Sequence, residues 1–313
     1  MSDAGVEAAS PVVRRVRAYF APVNRGLGEP ALFDPAQTGR FAVGAAPAPW
    51  VDLGWVYGFS RKCGTKVEAV RTGAPAVAQL QVRTEIEAEL SLEFGTWGKV
   101  QLALAAGTQQ MNLLKTASGV AAAGSGGTAV AATALVAGST ASVLQLGTGA
   151  SGFAVGQVVA VDVDYAGGTG YVGSGVSGAY LRTAVTDVDY VRRVTLNVAR
   201  IVGISGGAVS LDSPLIAGTP TSGMKVSAVT GFCDREGSSF FQEWSGLFVM
   251  EGQQGERVVL HYPRLQTMGG AAEASVAQSG LETVRLAGAF RALPVRDGVD
   301  GEQVVCFRSY LPG

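Results

Sequence analysis

The feature that most constrains this chain is a thirteen-residue segment, residues 82–94, in which apolar and polar side chains alternate without a break. One parity holds Val82, Thr84, Ile86, Ala88, Leu90, Leu92 and Phe94, and the other holds Arg83, Glu85, Glu87, Glu89, Ser91 and Glu93. Successive side chains of a strand point to opposite faces, so the pattern predicts a half-buried β-strand. At about 3.3 Å per residue this strand is roughly 40 Å long, which is long for a globular protein.

A helix is the alternative for this segment, because Glu, Ala and Leu all favour helices. A helix would place Ile86 and Leu90 on one stripe and Glu85 and Glu89 on the neighbouring stripe. The alternation fits a strand at all thirteen positions, and we therefore predict a strand.

The composition favours a mostly β protein with many tight turns. The chain has 44 glycines in 313 residues, about twice the ordinary frequency, and they are scattered rather than periodic. Its hydrophobic content of 47% is typical of globular proteins and argues against disorder. Charged residues make up only 16% and the formal net charge is −1, so no basic field favours nucleic-acid binding.

Two changes of composition along the chain predict its domain organisation. Residues 119–227 have few aromatic or charged residues and are rich in Gly, Ala, Val, Ser and Thr. Residues 1–118 and 228–313 share a different composition, with longer strands and a Pro-rich N-terminal arm. We predict a discontinuous parent domain formed by residues 1–118 and 228–313, interrupted by a small β-barrel or sandwich formed by residues 119–227.

Local patterns predict the individual elements. Strands are expected at residues 12–20, 50–59, 65–72, 142–146, 157–164, 193–201, 208–211, 225–229, 244–250, 257–262, 282–290 and 304–311. The Gly206-Gly207 pair predicts a hairpin over residues 204–211. A helix is predicted over residues 97–106, with Thr96 as its N-cap and Gly107 as its end. Residues 109–115 are expected to be irregular or helical.

Residues with metal-binding or thiol chemistry are few. The single histidine, His261, is expected to be structural or exposed, because no second histidine accompanies it. Cys63, Cys233 and Cys306 lack metal-site spacing, and we predict free, mostly buried thiols in a reducing compartment. No cofactor and no metal site are expected.

Several patterns resemble active sites only superficially. Carboxylates at positions 85, 87, 89 and 93 could flank a glycosidic bond, but such a strand face is usually a solvated one. The pairs Asp162/Asp164 and Asp187/Asp189 could bind Ca²⁺, but no EF-hand-like or repeat context surrounds them. Glycine-rich residues 124–128 and 167–170 lack the Lys-Ser/Thr of a phosphate loop, and Ser239 and Ser245 lack the nucleophile elbow. We expect no enzymatic activity.

Targeting signals are also not predicted. Residues 1–12 lack a basic start followed by an apolar core, and the chain has no run of about 18 apolar residues. We therefore expect neither a signal peptide nor a membrane helix.

Four segments carry a resemblance to a known family. The turn-bearing segment Val67-Glu68-Ala69-Val70-Arg71-Thr72-Gly73-Ala74-Pro75 leads into the long strand, and Phe94-Gly95-Thr96-Trp97 leads into the short helix. Near the C-terminus stand Leu260-His261-Tyr262-Pro263-Arg264-Leu265-Gln266 and Ala289-Phe290-Arg291-Ala292-Leu293-Pro294. Over residues 50–115 and 228–313 the chain resembles the tail tube (major tail) proteins of long-tailed bacteriophages, in which a long β-hairpin is followed by a helix.

The resemblance implies a β-sandwich or barrel fold and a homo-hexameric ring. Long hairpins from each subunit would join into an inner barrel, and rings would stack, with other tail proteins, into a virion tail tube through which viral DNA passes. The inserted domain would lie on the tube exterior. Assembly would take place in the host cytoplasm, with no membrane partner.

The same resemblance implies roles for the long strand. Glu85, Glu87, Glu89 and Glu93 would line the DNA channel, where carboxylates repel phosphate. The strand that joins neighbouring subunits would include Val82, Ile86, Leu90, Leu92 and Phe94. Arg83 departs from a uniformly acidic channel, and Arg285 and Arg291 would add positive charge to it if their polar face points inward.

Three other classes of protein stay open. One is a different β-rich virion component, such as a baseplate, sheath-associated or connector protein. Another is a carbohydrate-binding or adhesive protein that uses exposed Trp and Tyr residues. The third is an enzyme that uses the carboxylates of residues 85–93.

Overall fold

The structure is a computed structural model, and it describes residues 15–23, 29–115, 117–118, 131–162, 197–215, 218–235, 242–253, 255–269, 273–278 and 281–313. Over these residues the protein is mostly β, as the sequence predicts, with short helices only. The chain divides into two compact units. The first comprises Met1–Val23, Pro30–Gly107 and Phe241–Gly313, and the second comprises Asn24–Glu29 and Thr108–Phe240. The boundaries expected from composition, at residues 118/119 and 227/228, fall within the second unit.

The elements are numbered along the chain. The strands are β1 (Arg15–Pro22), β2 (Val51–Thr72), β3 (Val77–Phe94), β4 (Gln109–Leu114), β5 (Ala132–Ala134), β6 (Val143–Gln145), β7 (Val158–Asp162), β8 (Val198–Ser205), β9 (Ala208–Leu211), β10 (Lys225–Arg235), β11 (Glu243–Glu251), β12 (Arg257–Thr267), β13 (Glu273–Gln278), β14 (Leu281–Ala292), β15 (Val295–Arg296), β16 (Gln303–Val304) and β17 (Phe307–Leu311). The helices are α1 (Pro35–Thr38), α2 (Lys99–Ala106) and a 3₁₀ turn at Gly147–Gly152.

The first unit is built on a closed antiparallel barrel. Its main sheet has the order β13-β14-β3-β2-β1-β11-β12-β17, and β14 also pairs with β12 through Leu265↔Ala292. Six strands, β14, β3, β2, β1, β11 and β12, therefore form a ring in which each strand has two neighbours. Closure of this kind removes the exposed edges that an open sheet would present.

Aromatic side chains fill the barrel because the inward positions of its strands are large and apolar. Phe20 of β1 packs edge-to-face on Phe248 of β11 and on Phe290 of β14, with ring centroids 5.9 and 5.3 Å apart. The outer face of β1 and β11 is also buried, under the segment between β1 and β2. That segment contributes Phe33 and Trp50 to a second cluster with Tyr19. The N-terminal segment thus packs on its own unit.

The short helix α2 differs from the prediction at its start. Its N-cap is Gly98, which offers no capping side chain, so the prediction of Thr96 was wrong. Its end is as predicted, because Gly107 adopts the left-handed conformation at φ +68°. Leu104 is fully buried, and the helix packs against β14.

The second unit contains a seven-stranded sheet with a core of its own. The strand order is β4-β10-β7-β8-β9-β6, with β5 on the edge of β10. Val136, just after β5, donates its amide to Gln145 O of β6 at 2.9 Å, so the sheet is nearly closed into a barrel. The predicted hairpin at residues 204–211 is confirmed as β8–β9, and both turn residues, Gly206 and Gly207, have positive φ.

Strand β4 corrects the prediction that residues 109–115 are irregular or helical. These residues pair with β10, more than one hundred positions further along the chain. The local sequence pattern of Gln109–Leu114 does not indicate that these residues pair with β10.

Candidate intersubunit interface

The most unusual part of the structure is the far end of the β2–β3 hairpin, which we call the arm (residues 64–87). Strand β2 pairs with β1 only as far as Val56, and β3 pairs with β14 only from Ala88 onward. Among the described residues, each arm strand therefore has the other arm strand as its sole neighbour. At about 3.3 Å per residue the arm extends roughly 30 Å from the barrel.

The arm is exposed on both faces although it carries many apolar side chains. Every residue from 64 to 87 is exposed. The large apolar residues on it, with their exposed fractions, are Val67 (47%), Val70 (47%), Val77 (55%), Leu80 (61%), Val82 (42%) and Ile86 (41%). Isolated two-stranded hairpins are marginally stable in water, and a cluster of exposed apolar side chains marks an interaction surface.

Only the barrel end of β3 fits the predicted half-buried pattern. Ala88, Leu90, Leu92 and Phe94 are all at most 2% exposed, as the alternation predicts. The prediction was wrong for residues 82–87, which are exposed on both faces because the strand has left the barrel. The long strand itself is confirmed, and it begins at Val77 rather than at residue 82.

A β-bulge at Thr84 also interrupts the alternation of faces. Lys66 pairs with Glu85, whereas the next residue, Val67, pairs with Arg83, so β3 has one extra residue at this point. Side chains directly opposite each other share a face, and β2 keeps its regular alternation here. Arg83 therefore shares the face of Ile86. Beyond the bulge Val82, opposite Glu68, shares the face of Glu85.

The predicted channel-lining carboxylates lie beside basic partners. Glu85 pairs in register with Lys66, and Glu89 pairs with Lys62 on one side and with Arg291 on the other. The Arg291 guanidinium donates to Glu89 Oε1 at 3.0 Å, and this bond raises the pKa of Arg291. The polar face of the hairpin thus carries both acidic and basic side chains and is not uniformly acidic.

The two remaining carboxylates have different neighbours. Glu87 lies opposite Gly64, which has no side chain, and Glu93 lies opposite Tyr57 near the barrel. Arg291 shares the polar face of these residues, because Arg291 and Glu89 are register partners. The side chain of Arg285 lies outside the described residues.

Sequence reasoning missed the basic partners and the exposed end of the hairpin. Regular pairing from the tight turn after Thr72 would place Lys66 opposite Arg83, and two register shifts in the hairpin bring Glu85 opposite Lys66 instead, so the basic partners had no reliable local signal. The point at which the arm leaves the barrel had no local signal, since it depends on where β1 and β14 stop pairing.

His261 is structural, as the sequence predicts. It is 4% exposed and lies among Phe33, Trp50 and Phe307, with Nε2 3.3 Å from Ala31 O. Burial lowers its pKa to about 4, so the imidazole is neutral at pH 7.

The cysteines only partly match the prediction of buried thiols. Cys63 is exposed on β2, where the Arg61 guanidinium donates to its sulfur at 3.2 Å. Cys306 is partly buried, and burial raises the pKa of its thiol. The side chain of Cys233 lies outside the described residues.

The other candidate sites give no ligand-binding geometry in the part of the chain that the structure describes. Asp162 is buried at the end of β7, while Asp164, Asp187, Asp189 and the glycine-rich residues 124–128 and 167–170 lie outside the described residues. Within the described ranges, no three His, Cys, Asp or Glu side chains are grouped to hold a metal ion. In those same ranges, none of the helices has the length and hydropathy of a bilayer span.

No protein-family model matches this chain, and a comparison with curated protein sequences finds no relative. The arm and its charges are therefore the basis for a functional proposal.

Proposed function

We propose that this chain is a self-assembling structural protein, the tube subunit of a phage tail. Six copies form a ring, and rings stack into a channel for viral DNA. The observation that carries the proposal is the arm, an exposed hairpin with apolar side chains, neither edge of which pairs with another strand among the described residues.

The arm has the properties of a segment that is completed by another molecule. Free strand edges are templates for further strands, and soluble proteins usually protect them. Here both edges of a hairpin about 30 Å long are open in the described chain, and large apolar side chains such as Leu80 and Val77 face water. Pairing between the arms of several copies would satisfy the edges and cover the apolar groups together.

The charge pattern is compatible with a channel that DNA crosses without binding tightly. Affinity for DNA comes from Lys and Arg that neutralise phosphates. On the polar face of the hairpin, Lys66 and Arg291 have Glu85 and Glu89 as cross-strand partners, and this pairing leaves little net positive charge to hold phosphates. The proposed channel-lining residues are Glu85, Glu87, Glu89 and Glu93. They line the channel together with the basic side chains that lie beside them on the same face.

Light scattering on the purified chain, with and without a charge on the arm, tests the proposal. Leu80→Lys places an ammonium group on an exposed arm residue that assembly would bury. Val155→Lys is the matched control, because Val155 lies in the second unit and the two residues are 61% and 62% exposed. We expect wild type and Val155→Lys to form large assemblies as concentration rises, and Leu80→Lys to stay monomeric with an unchanged melting temperature.

Two outcomes count against the proposal. Wild-type chain that stays monomeric at every concentration, with or without other tail components, contradicts self-assembly. If Leu80→Lys assembles as readily as Val155→Lys, the arm does not form the contact between copies.

A further inference from the structure

Two cysteines meet one arginine and one tyrosine at the end of the barrel where the arm begins. Cys63 lies on β2, directly before the arm, and Cys306 lies directly before β17. The Arg61 guanidinium donates to Cys63 Sγ at 3.2 Å and to the Tyr262 hydroxyl at 2.7 Å. The same hydroxyl forms a hydrogen bond with the thiol of Cys306. Both sulfurs therefore contact one Arg–Tyr pair, although they lie far apart in the sequence.

The contact between the arginine and the tyrosine crosses the interior of the barrel. Arg61 pairs in register with Leu90 of β3, a core residue that is 2% exposed, so Arg61 lies on the inward face of β2. Cys63, two positions further along the strand, lies on the same face. Tyr262 of β12 is fully buried and packs on Phe248, with ring centroids 5.9 Å apart. Because β12 is three strands away from β2 in either direction around the six-stranded ring, this hydrogen bond joins opposite walls.

The two thiols have different environments. Cys63 is exposed, and a thiolate formed there has a guanidinium N–H beside it, which is the environment of a cysteine that attacks oxidants. Cys306 is partly buried. Burial is the main cause that raises the pKa of its thiol, and the nearby sulfur of Cys63 raises this pKa further. An exposed thiol beside a cation, with a second, protonated thiol close by, is the arrangement of an attacking cysteine and a resolving cysteine.

We propose that Cys63 and Cys306 are a peroxide-reactive thiol pair that closes a disulfide across the end of the barrel. The Cys63 thiolate attacks one oxygen of hydrogen peroxide and the O–O bond breaks, which leaves a sulfenic acid on Cys63 and a hydroxide that takes a proton from solvent. The Cys306 sulfur then attacks the Cys63 sulfur, the S–S bond forms, and the sulfenic oxygen leaves as water with the thiol proton. Two thiols are oxidised to one disulfide, and one peroxide is reduced to two waters.

The disulfide closes at a place where one partner can move. Cys306 lies outside the ladder between β12 and β17, which begins at the pair His261↔Phe307. It can therefore turn towards Cys63 without breaking a strand pair. The closed bond ties the start of the arm to the C-terminal strand, and it does not depend on the proposed self-assembly.

Peroxide treatment of the full chain in a Cys233→Ser background tests the pair, since only these two thiols then remain. The reduced chain is kept dilute and unassembled and is treated with one equivalent of hydrogen peroxide. We expect both thiols to disappear together, the mass to fall by two hydrogen atoms, and the peptides of Cys63 and Cys306 to be joined in a non-reducing digest. The melting temperature should rise by roughly 5 °C, and dithiothreitol should reverse the rise.

Single variants in the same background separate the two roles. Cys306→Ser should stop at the sulfenic acid on Cys63, which makes the chain one oxygen atom heavier and which dimedone traps. Cys63→Ser should leave Cys306 reduced under the same treatment, because the attacking thiol is gone. Before oxidation, both variants should melt as the reduced parent chain does.

Substitutions of Arg61 test the guanidinium as a positioning residue. We expect Arg61→Gln to lower the rate of Cys63 oxidation about tenfold, because a charge-assisted hydrogen bond to the thiolate is lost. Arg61→Lys, which keeps the positive charge, should recover part of the rate. Lys62→Gln is the matched control and should react as the parent chain does, since it removes one positive charge from the neighbouring residue, on the opposite face of β2.

Three outcomes would overturn the inference. One is loss of the Cys63 thiol while Cys306 stays reduced, and another is a disulfide between two chains in place of one within the chain. The third is equal oxidation rates in Arg61→Gln and Lys62→Gln. Because the measurements use unassembled chain, a protein that never assembles can still form the bridge, and failure of the bridge leaves the proposed self-assembly standing.

Discussion

At the scale of single residues, His261 shows how burial sets the chemistry of a side chain. Its imidazole lies beside Phe33, Trp50 and Phe307, with ring centroids 5.8 to 6.5 Å away. Protonation would place a charge among these rings, which is why its pKa falls to about 4. The sequence could predict a structural histidine, because it offers no second ligand, but not the aromatic environment that the segment between β1 and β2 provides.

We expect His261 to make the stability of the first unit depend on pH. The unfolded histidine has a pKa near 6.5 and the folded one about 4, so between these values the unfolded state binds more protons. The stability that the folded protein gains by keeping His261 neutral is complete above pH 6.5 and is lost as pH falls towards 4. The total loss in the free energy of unfolding is about 3 kcal/mol. Urea unfolding at pH 7 and pH 4.5 should show that His261→Gln removes this part of the pH dependence. Equal losses in wild type and variant would contradict the assignment.

Gly288 is required by close packing rather than by its backbone conformation. A Cβ at this position would lie 2.9 Å from Phe290 Cε2 and 3.0 Å from Phe94 Cε2, two rings in the barrel core. We expect Gly288→Ala to cost about 1–3 kcal/mol in the free energy of unfolding. Gly64→Ala is the matched strand control, because a Cβ there meets no atom within 4 Å, and it should change stability by less than about 0.5 kcal/mol. Similar chemical-denaturation midpoints for the two variants would refute the packing argument.

At the scale of elements, the sequence predicts strands well where their pattern is local. The alternation over residues 82–94 correctly indicates a long strand, and Gly206-Gly207 correctly indicates the β8–β9 hairpin. Strand β4 was missed because its partner β10 lies far along the chain. The exposure of the arm was missed because alternation reports a periodicity, whereas burial depends on which other strands cover it.

Removing the arm should separate folding from assembly. Gly64 and Glu87 lie directly opposite each other, so residues 65–86 can be replaced by an Asn-Gly turn that closes the shortened hairpin. The removed residues are all exposed, and we expect the melting temperature of the barrel to change by only a few degrees. Light scattering should show monomers at every concentration. Assembly of the shortened chain would rule out the arm as the contact.

At the scale of the whole molecule, two units with separate cores share one chain. Gln109 and Arg235 are register partners in β4 and β10, so the two ends of the second unit are adjacent. Adjacent ends are what allow a domain to be inserted into another, or removed from it. A composition change could indicate such an insertion, but the strand pairing that joins its ends is visible only in the structure.

We expect the second unit to be dispensable for assembly. Residues 110–234 can be replaced by a short Gly-Ser linker between Gln109 and Arg235. If this unit decorates the exterior of the proposed tube, the shortened chain should remain folded and should assemble at the wild-type concentration, measured by light scattering. A folded chain that no longer assembles would show that the second unit contributes to the contact.

Electron microscopy of the purified full-length chain at high concentration tests self-assembly into a tube most directly. The proposed function predicts rings with sixfold symmetry, a central channel and stacking along the channel axis. Because the proposal places the contact between copies at the arm, the arms of neighbouring copies should meet around that channel. Fields of single particles at every concentration, or closed pairs related by a two-fold axis, would contradict the account.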